Sequence, residues 1–173
     1  MDPKDDGYIL RMAGDADKET IWQILQQAIE RRKKDGSEQW QNGYPNLGTV
    51  TADIQNKAGF VLVKNEEIAA YTALIFDTEP AYETIEGAWL TTGKYAVVHR
   101  VAVSEKFIGQ GIAAKLFFKI EDLVKSKRIP SIKVDTNFDN IPMLKILEKL
   151  QYTYCGEVYL QGSPRKAFEK IIS

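Results

Sequence analysis

The sequence predicts an α/β protein in which a mixed sheet is flanked by helices. Three observations carry this expectation. Short apolar runs suited to strands recur along the chain among longer stretches of helical period. Helices separate some of these strands, while turns join others as hairpins. Apolar residues make up 44% of the 173 residues, enough to bury a core.

Tyr8 to Met12 alternates and reads as a first strand. Asp15 or Asp17 is placed to cap a helix, since a short carboxylate accepts the free N–H groups of a first turn. Ile21, Ile24, Leu25, Ala28 and Ile29 then share one helical face, and Gly36 ends the run. The basic run Arg31 to Lys34 reads as a solvated helix end with cations near the negative pole of the dipole. Residues 36 to 48 read as a loop and Thr51 to Lys57 as a short helix. Phe60 to Val63 and Ile68 to Phe76 are strands joined at Asn65-Glu66 as a hairpin. Asp77 to Gly93 is a second long loop.

Tyr95 to Val103 is a strand with a nearly continuous apolar end, as buried strands show. Gly111 to Lys127 is a helix with Ala113, Leu116, Phe117, Ile120, Leu123 and Val124 inward. Ser131 to Thr136 is a strand. Asn140 to Leu150 is a helix with Met143, Ile146, Leu147 and Leu150 on one face, Asn140 as its cap and Pro142 in its first turn. Tyr152 to Leu160 and Lys166 to Ile172 close the chain as strands, with Gly162-Ser163-Pro164 turning between them. Repeats, low-complexity segments and linkers are absent, so 1–173 reads as a single domain.

The net charge of −1 gives no global field for nucleic acid. With Cys155 and His99 the sole residues of their kinds, no intramolecular disulfide forms and no zinc site of Cys and His is expected. No apolar run nears the roughly 18 residues of a membrane span. Met1 to Gly7 is polar, so no signal peptide is read. The expectation is a soluble, cytoplasmic protein without nucleic-acid, membrane or metal partners, monomeric or homodimeric.

Lys106-Phe107-Ile108-Gly109-Gln110-Gly111-Ile112-Ala113 follows a strand and opens a helix. The first N–H groups of a helix lack internal partners and sit at the positive end of its dipole, so an anion placed there accepts several bonds at once. Gly109 and Gly111 let the backbone turn tightly and approach a phosphate. No G-K-[ST] follows, so this is not a P-loop. A dinucleotide-dependent oxidoreductase stays open as a second reading, with Ala114 where a third glycine is usual and Asp135 about 24 residues on.

His99-Arg100-Val101-Ala102-Val103, then Lys106-x-x-Gly109-x-Gly111, then Ala113, resembles the acetyl-CoA motif of the GNAT superfamily of N-acetyltransferases. Lys106 stands where that motif has Arg or Gln. A second block agrees: Val134 to Met143 and Leu147-Glu148-Lys149-Leu150-Gln151-Tyr152 resemble the family's next strand, its asparagine-capped helix and its closing segment. The resemblance covers nearly the whole chain and implies the GNAT fold, a mostly antiparallel sheet with helices on both faces. It implies acetyl-CoA as acyl donor and a small-molecule or peptide amine as acceptor. Pantetheine would run beside Val101 and Val103, and the pyrophosphate would sit on Ile108, Gly109, Gln110, Gly111, Ile112 and Ala113. Asn137 and Asn140 would be near the cofactor, and Asn140 serves as a helix cap in any case. The Val103 backbone N–H would stabilise the oxyanion.

An amine is mostly protonated at neutral pH, so a base is needed. His99 is the obvious candidate. It alternates with Val97 and Val101 and is expected on their face, either as base or packed against a neighbour. Many family members carry a tyrosine that protonates the leaving thiolate. Leu147 stands at that position, which also allows a silent CoA-binding regulatory module. Tyr152 or Tyr154 are substitutes for that acid, and Cys155 reads as a buried structural thiol rather than a nucleophile. Trp40 and Tyr44 in the first loop either line the acceptor pocket or pin the loop. Asp77, Glu79, Glu83 and Glu86 form an acidic rim in the second, either solvated or steering a cationic amine.

Overall fold

A computed structural model describes residues 6 to 172. Residues 1 to 5, most of the polar start read above, lie outside the described residues, as does Ser173.

Strand β1 (Ile9–Met12) leads through a 3₁₀ turn at Asp15–Asp17 into helix α1 (Lys18–Lys34). Asp17 does not cap α1 with its side chain. Its carboxylate instead pairs with Arg11 and accepts the Gly14 N–H, each at 2.8 Å. Arg11, projecting from the strand, has claimed the oxygen that capping would use. Helix α2 (Leu47–Gln55) starts four residues before the expected Thr51. Asn46 accepts the Thr49 N–H through its side chain, and the Thr49 hydroxyl accepts the Asn46 N–H, both at 3.1 Å. This reciprocal cap overrides the loop-like composition around Gly48.

Strands β2 (Gly59–Lys64) and β3 (Glu67–Ile75) form the expected hairpin. Asn65 and Glu66 both take positive φ, 50° and 64°, the two-residue geometry that matches strand twist. The loop after β3 is not irregular throughout. It holds a 3₁₀ turn at Pro80–Tyr82 and a short strand β4 (Glu86–Gly87). Strand β5 (Ala96–Val103), helix α3 (Ile112–Ser126), strand β6 (Ser131–Thr136) and helix α4 (Ile141–Lys149) follow in the expected order. Strands β7 (Thr153–Leu160) and β8 (Ser163–Ile171) close the chain. Their turn is Gln161-Gly162, both at positive φ, and not Gly162-Ser163-Pro164. Ser163 and Pro164 are paired within β8, opposite Leu160 and Tyr159. Proline is tolerated because β6 pairs with β8 only from Lys166 onward, so no ladder on that side needs its N–H.

The eight strands form one sheet in the order β1-β2-β3-β5-β6-β8-β7-β4. Among the described strands only β5 and β6 run parallel. One face carries α3 and α4 over a core that includes Leu116, Phe117, Ile120, Val134 and Leu147. The opposite face carries α1 and α2 over Ile21, Leu25, Val50, Tyr71 and Ala102. The loop after β3 covers the rest of that face through Tyr82, Tyr95 and Val97.

Two irregularities in β5 shape the site. First, β5 pairs with β6 only at Ala96, Val97 and Val98, after which the strands part. Second, Arg100 sits at φ 54°, where the register with β3 shifts. This is a bulge, and a bulge reverses facing. Val97 packs beneath the β3–β5 loop, whereas Val101 packs in the α3 core. His99, beside Tyr82, therefore does not share the face of Val101, contrary to simple alternation.

Leu147 is fully buried in the α3–α4 core. Leu147→Ala is expected to cost about 2–5 kcal/mol through lost burial and a residual cavity. Urea unfolding should show a lower midpoint at unchanged slope.

Candidate active site

Two cavities lie along the open edge of β5. The first is a groove of about 420 Å³ between β5, the glycine turn and α4. Val101, Val103, Ile108, Gly109, Gly111, Ile112, Ala113 and Asn140 all line it, so it gathers most of the residues expected to hold the cofactor. Gly109 and Gly111 take φ of 81° and 70°, which non-glycine residues rarely adopt. No side chain caps α3 at Gly111, so its first N–H groups are left for another acceptor. These features fit a pyrophosphate. Two expected residues do not line the groove. The Gln110 side chain turns back to the Lys106 carbonyl, at 3.4 Å. Asn137 lines an outer cleft instead, and its amide donates to Asp139. Lys106 pairs with Glu67 on the exposed surface.

The basic run at the end of α1 is not simply solvated. Arg31 donates to the Val103 carbonyl at 2.8 Å and Arg32 to the Val101 carbonyl at 3.3 Å. Those carbonyls therefore point away from β3, along the edge that β6 leaves free. The Arg32 guanidinium also stacks 3.7 Å over the Trp40 ring. Burial, reinforced by neighbouring Arg31, lowers its pKa to about 10. The signal was present in the sequence: Arg32 lies four residues after Ala28 and seven after Leu25, on the inner stripe of the helix.

The second cavity, of about 230 Å³, lies at the bulge. His99 stands there between two carboxylates. Its Nε2 is 3.4 Å from Glu79 and its Nδ1 is 3.6 Å from Asp135. Hydrogen bonding with His99 holds the Glu79 carboxyl below the usual carboxylate range. Tyr82 donates to Asp135, and burial beside that charge pushes the Tyr82 pKa well up. Asp135, the acid a dinucleotide site would direct to a ribose, thus turns to His99 rather than to the glycine turn. Of the acidic rim, only Glu79 lines this cavity. Glu83 reaches Tyr95, Glu86 lies in β4, and Asp77 accepts the Thr78 N–H.

Trp40 and Tyr44 line the same cavity and also pin their loop. Trp40 is buried under Arg32, and the Tyr44 hydroxyl accepts from Arg100 at 2.6 Å. Arg100 in turn grips Asp53 through Nε and Nη2. Neither Asp53 nor Arg165 is marked by any local pattern in the sequence, and Arg100 stands in the motif strand without a role assigned to it. Tyr152 and Tyr154, expected as substitutes for the acid, line neither cavity, and Cys155 is a buried thiol as expected. Tyr152 packs edge-on against Phe117, Tyr154 against Phe168, and Cys155 is buried with its thiol pKa raised by desolvation.

The start of α4 clamps the first loop. Asn140 caps α4 through the Met143 N–H and donates to Gln39 at 2.9 Å. Asp139 accepts from the Ser37 hydroxyl at 2.6 Å and the Glu38 N–H at 2.9 Å. Burial raises the Asp139 pKa, but these bonds and that from Asn137 outweigh it and hold the carboxyl below its ordinary range. The clamp is therefore complete above about pH 4 and is lost as pH falls through the lowered folded-state value. Protection of the amides of residues 37 to 41 against exchange, relative to the unfolded rate at each pH, should fall only in that acid range. Asp139→Asn should show the lower protection at neutral pH.

Residues 21 to 152 match the model of the Acetyltransferase (GNAT) family. The uncharacterized N-acetyltransferase YesJ of Bacillus subtilis (strain 168) is 27% identical over 172 residues, 97% of this chain and 92% of YesJ. The crystal structure of a GNAT-family acetyltransferase from Streptococcus agalactiae 2603 superposes with a TM-score of 0.89 at 35% identity, covering 97% of each chain. The structure of yncA from Salmonella typhimurium with its cofactor acetyl-CoA shares the fold, with a TM-score of 0.67 at 13% identity over 97% of this chain and 95% of that one. The family match runs from within α1 to the residue before β7 and takes in the groove, the bulge and the histidine, so the chain belongs to the GNAT family of acetyltransferases, which use acetyl-CoA.

Proposed function

We propose that the chain transfers the acetyl group of acetyl-CoA to a primary amine by direct attack in a ternary complex. The observation that carries this reading is the meeting of the two cavities. Arg32, Val101, Asn140 and Met143 line both of them. A thioester lying in the groove would bring its carbonyl to that junction, next to the cavity that holds His99.

The residues then divide the work. The N–H groups opening α3 hold the pyrophosphate, and Val103 and Val101 flank the pantetheine. His99 takes the proton of the attacking ammonium, and Glu79 and Asp135 stabilise the imidazolium that results. The amine nitrogen bonds to the carbonyl carbon, the carbon–sulfur bond breaks, the thiolate departs with its electron pair, and the second amine proton is lost to water. Val101 and Val103 alternate along the free edge, so both point backbone groups into the groove. Val103 lines only the groove, whereas Val101 lines both cavities. Val101 is therefore the better placed of the two to donate its N–H to the oxyanion. Arg32, fixed at the junction with no carboxylate within ion-pair distance among the described residues, supplies positive charge to the departing thiolate.

His99→Gln is expected to lower kcat/KM by roughly 10²–10⁴ and to remove the acidic limb of the pH–rate profile. Stabilisation by acetyl-CoA in a thermal-shift assay should be unchanged. An unaltered pH–rate profile would take His99 out of the reaction.

A further inference from the structure

The wall of the acceptor cavity facing the histidine carries an unused cation. Arg165 lies on β8 and lines both the His99 cavity and the outer cleft. Among the described residues its guanidinium makes no hydrogen bond or ion pair, and its Nε is buried without a partner. Its neighbours are differently placed. Arg100, which also lines the cavity, is held by Asp53 and Tyr44; Arg32, at the junction with the groove, shares the unpartnered Nε but gives its other donors to backbone carbonyls and its face to the Trp40 ring. The buried Nε–H is costly to leave unpaired, and with no carboxylate on it the half-buried Arg165 guanidinium marks a position that an anionic ligand would satisfy.

The strand register fixes its relation to the acidic wall. Ala167 of β8 is the register partner of Asp135 on β6, and the two share a sheet face. Arg165, two residues along β8, lies on that same face, about 7 Å further along the strand. One end of the cavity thus presents Glu79 and Asp135 around His99, and the other presents Arg165 beside Gln161. The charge runs from negative to positive across a space suited to a small molecule.

From this polarity we infer that the acceptor is a small amine bearing an anionic arm, a carboxylate or a phosphorus oxyanion, bound by the Arg165 guanidinium while its amine faces His99. A guanidinium fork matches both anions bidentately, so the two share one recognition chemistry. The inference rests on the proposed acetyl transfer for the placing of the amine, but the anion site itself does not. The acidic rim alone would favour a polycation; Arg165 excludes a second positive charge from the far end of the cavity.

The test is a panel of matched amines: straight-chain alkylamines, and the same chains ending in a carboxylate or a phosphonate. Thiol release from acetyl-CoA measures turnover, and thermal shift of the CoA-loaded protein measures binding. Anionic members should be preferred by about a hundredfold or more in kcat/KM. Arg165→Gln should erase that preference while leaving the KM for acetyl-CoA unchanged, and Arg165→Lys should restore part of it. The carboxylate and phosphonate arms of the panel tell the two anion classes apart. Equal use of the bare alkylamines, or a preference untouched by Arg165→Gln, would overturn the inference. Binding of the anionic amines that depends on Arg165, with no acetylation of any amine, would uphold the anion site and remove the acetyl-transfer reading instead.

Discussion

The site depends on one held irregularity, the bulge at Arg100. A non-glycine residue at positive φ costs about 1–3 kcal/mol and persists only where its surroundings compel it. Here the compulsion comes from a mostly buried ion pair. Asp53 on α2 takes two bonds from the Arg100 guanidinium, and Tyr71 on β3 also donates to it. Burial alone would lower the Arg100 pKa, but Asp53 more than compensates and holds it above its ordinary value. Losing either partner would leave a charge stranded in the core, a penalty of about 3–5 kcal/mol in comparable cases. The bulge therefore stays, and its consequences follow geometrically. Residues before it keep one facing and residues after it the other, so His99 meets the cavity at the bulge while Val101 and Val103 face the groove.

The second consequence is the open edge. Once β5 leaves β6 after Val98, its backbone groups would have no partner. Arg31 and Arg32 reach across from α1 to two of the carbonyls. The end of α1 is thereby tied to β5, and Trp40 is held against Arg32. The start of α4 completes the frame from the other side, with Asp139 and Asn140 holding Ser37, Glu38 and Gln39. The first loop is thus ordered by the same two helices that wall the groove.

These relations explain what the sequence made legible. Periodicity placed the strands and helices, because burial of one face imposes its period directly on the chain. The glycine turn was legible because its φ angles demand glycine. The capped start of α4 was legible because Asn140 is close in sequence to the N–H it satisfies. The bulge was not, since Arg100 owes its φ to Asp53, far away in the chain. The facing of His99 depends on that bulge, so alternation misassigned it relative to Val101. Arg32 was missed for a different reason: a run of four cations suggests solvent, although its helical phase pointed inward. Arg165 carries no local mark at all, and its role appears only when β8 is laid beside β6.

Leu147 bears on which proton matters most in such a site. At pH 7 an amine of ordinary pKa, near 10.4, lies more than three units from its neutral form, or roughly 4–5 kcal/mol. A thiol of pKa near 8.5 lies only about 1.5 units above that pH, so the thiolate leaves at a cost of roughly 2 kcal/mol relative to the thiol. The larger barrier is therefore on the amine side, and a base is worth more than an acid. The cavity has that balance. Its histidine is set between two carboxylates, while Leu147, at the position where the family resemblance leads one to expect an acid, is packed wholly into the core. In the proposed transfer, the fixed Arg32 guanidinium at the junction would offer the thiolate charge without offering it a proton, which suffices when the departing group is already a weak base.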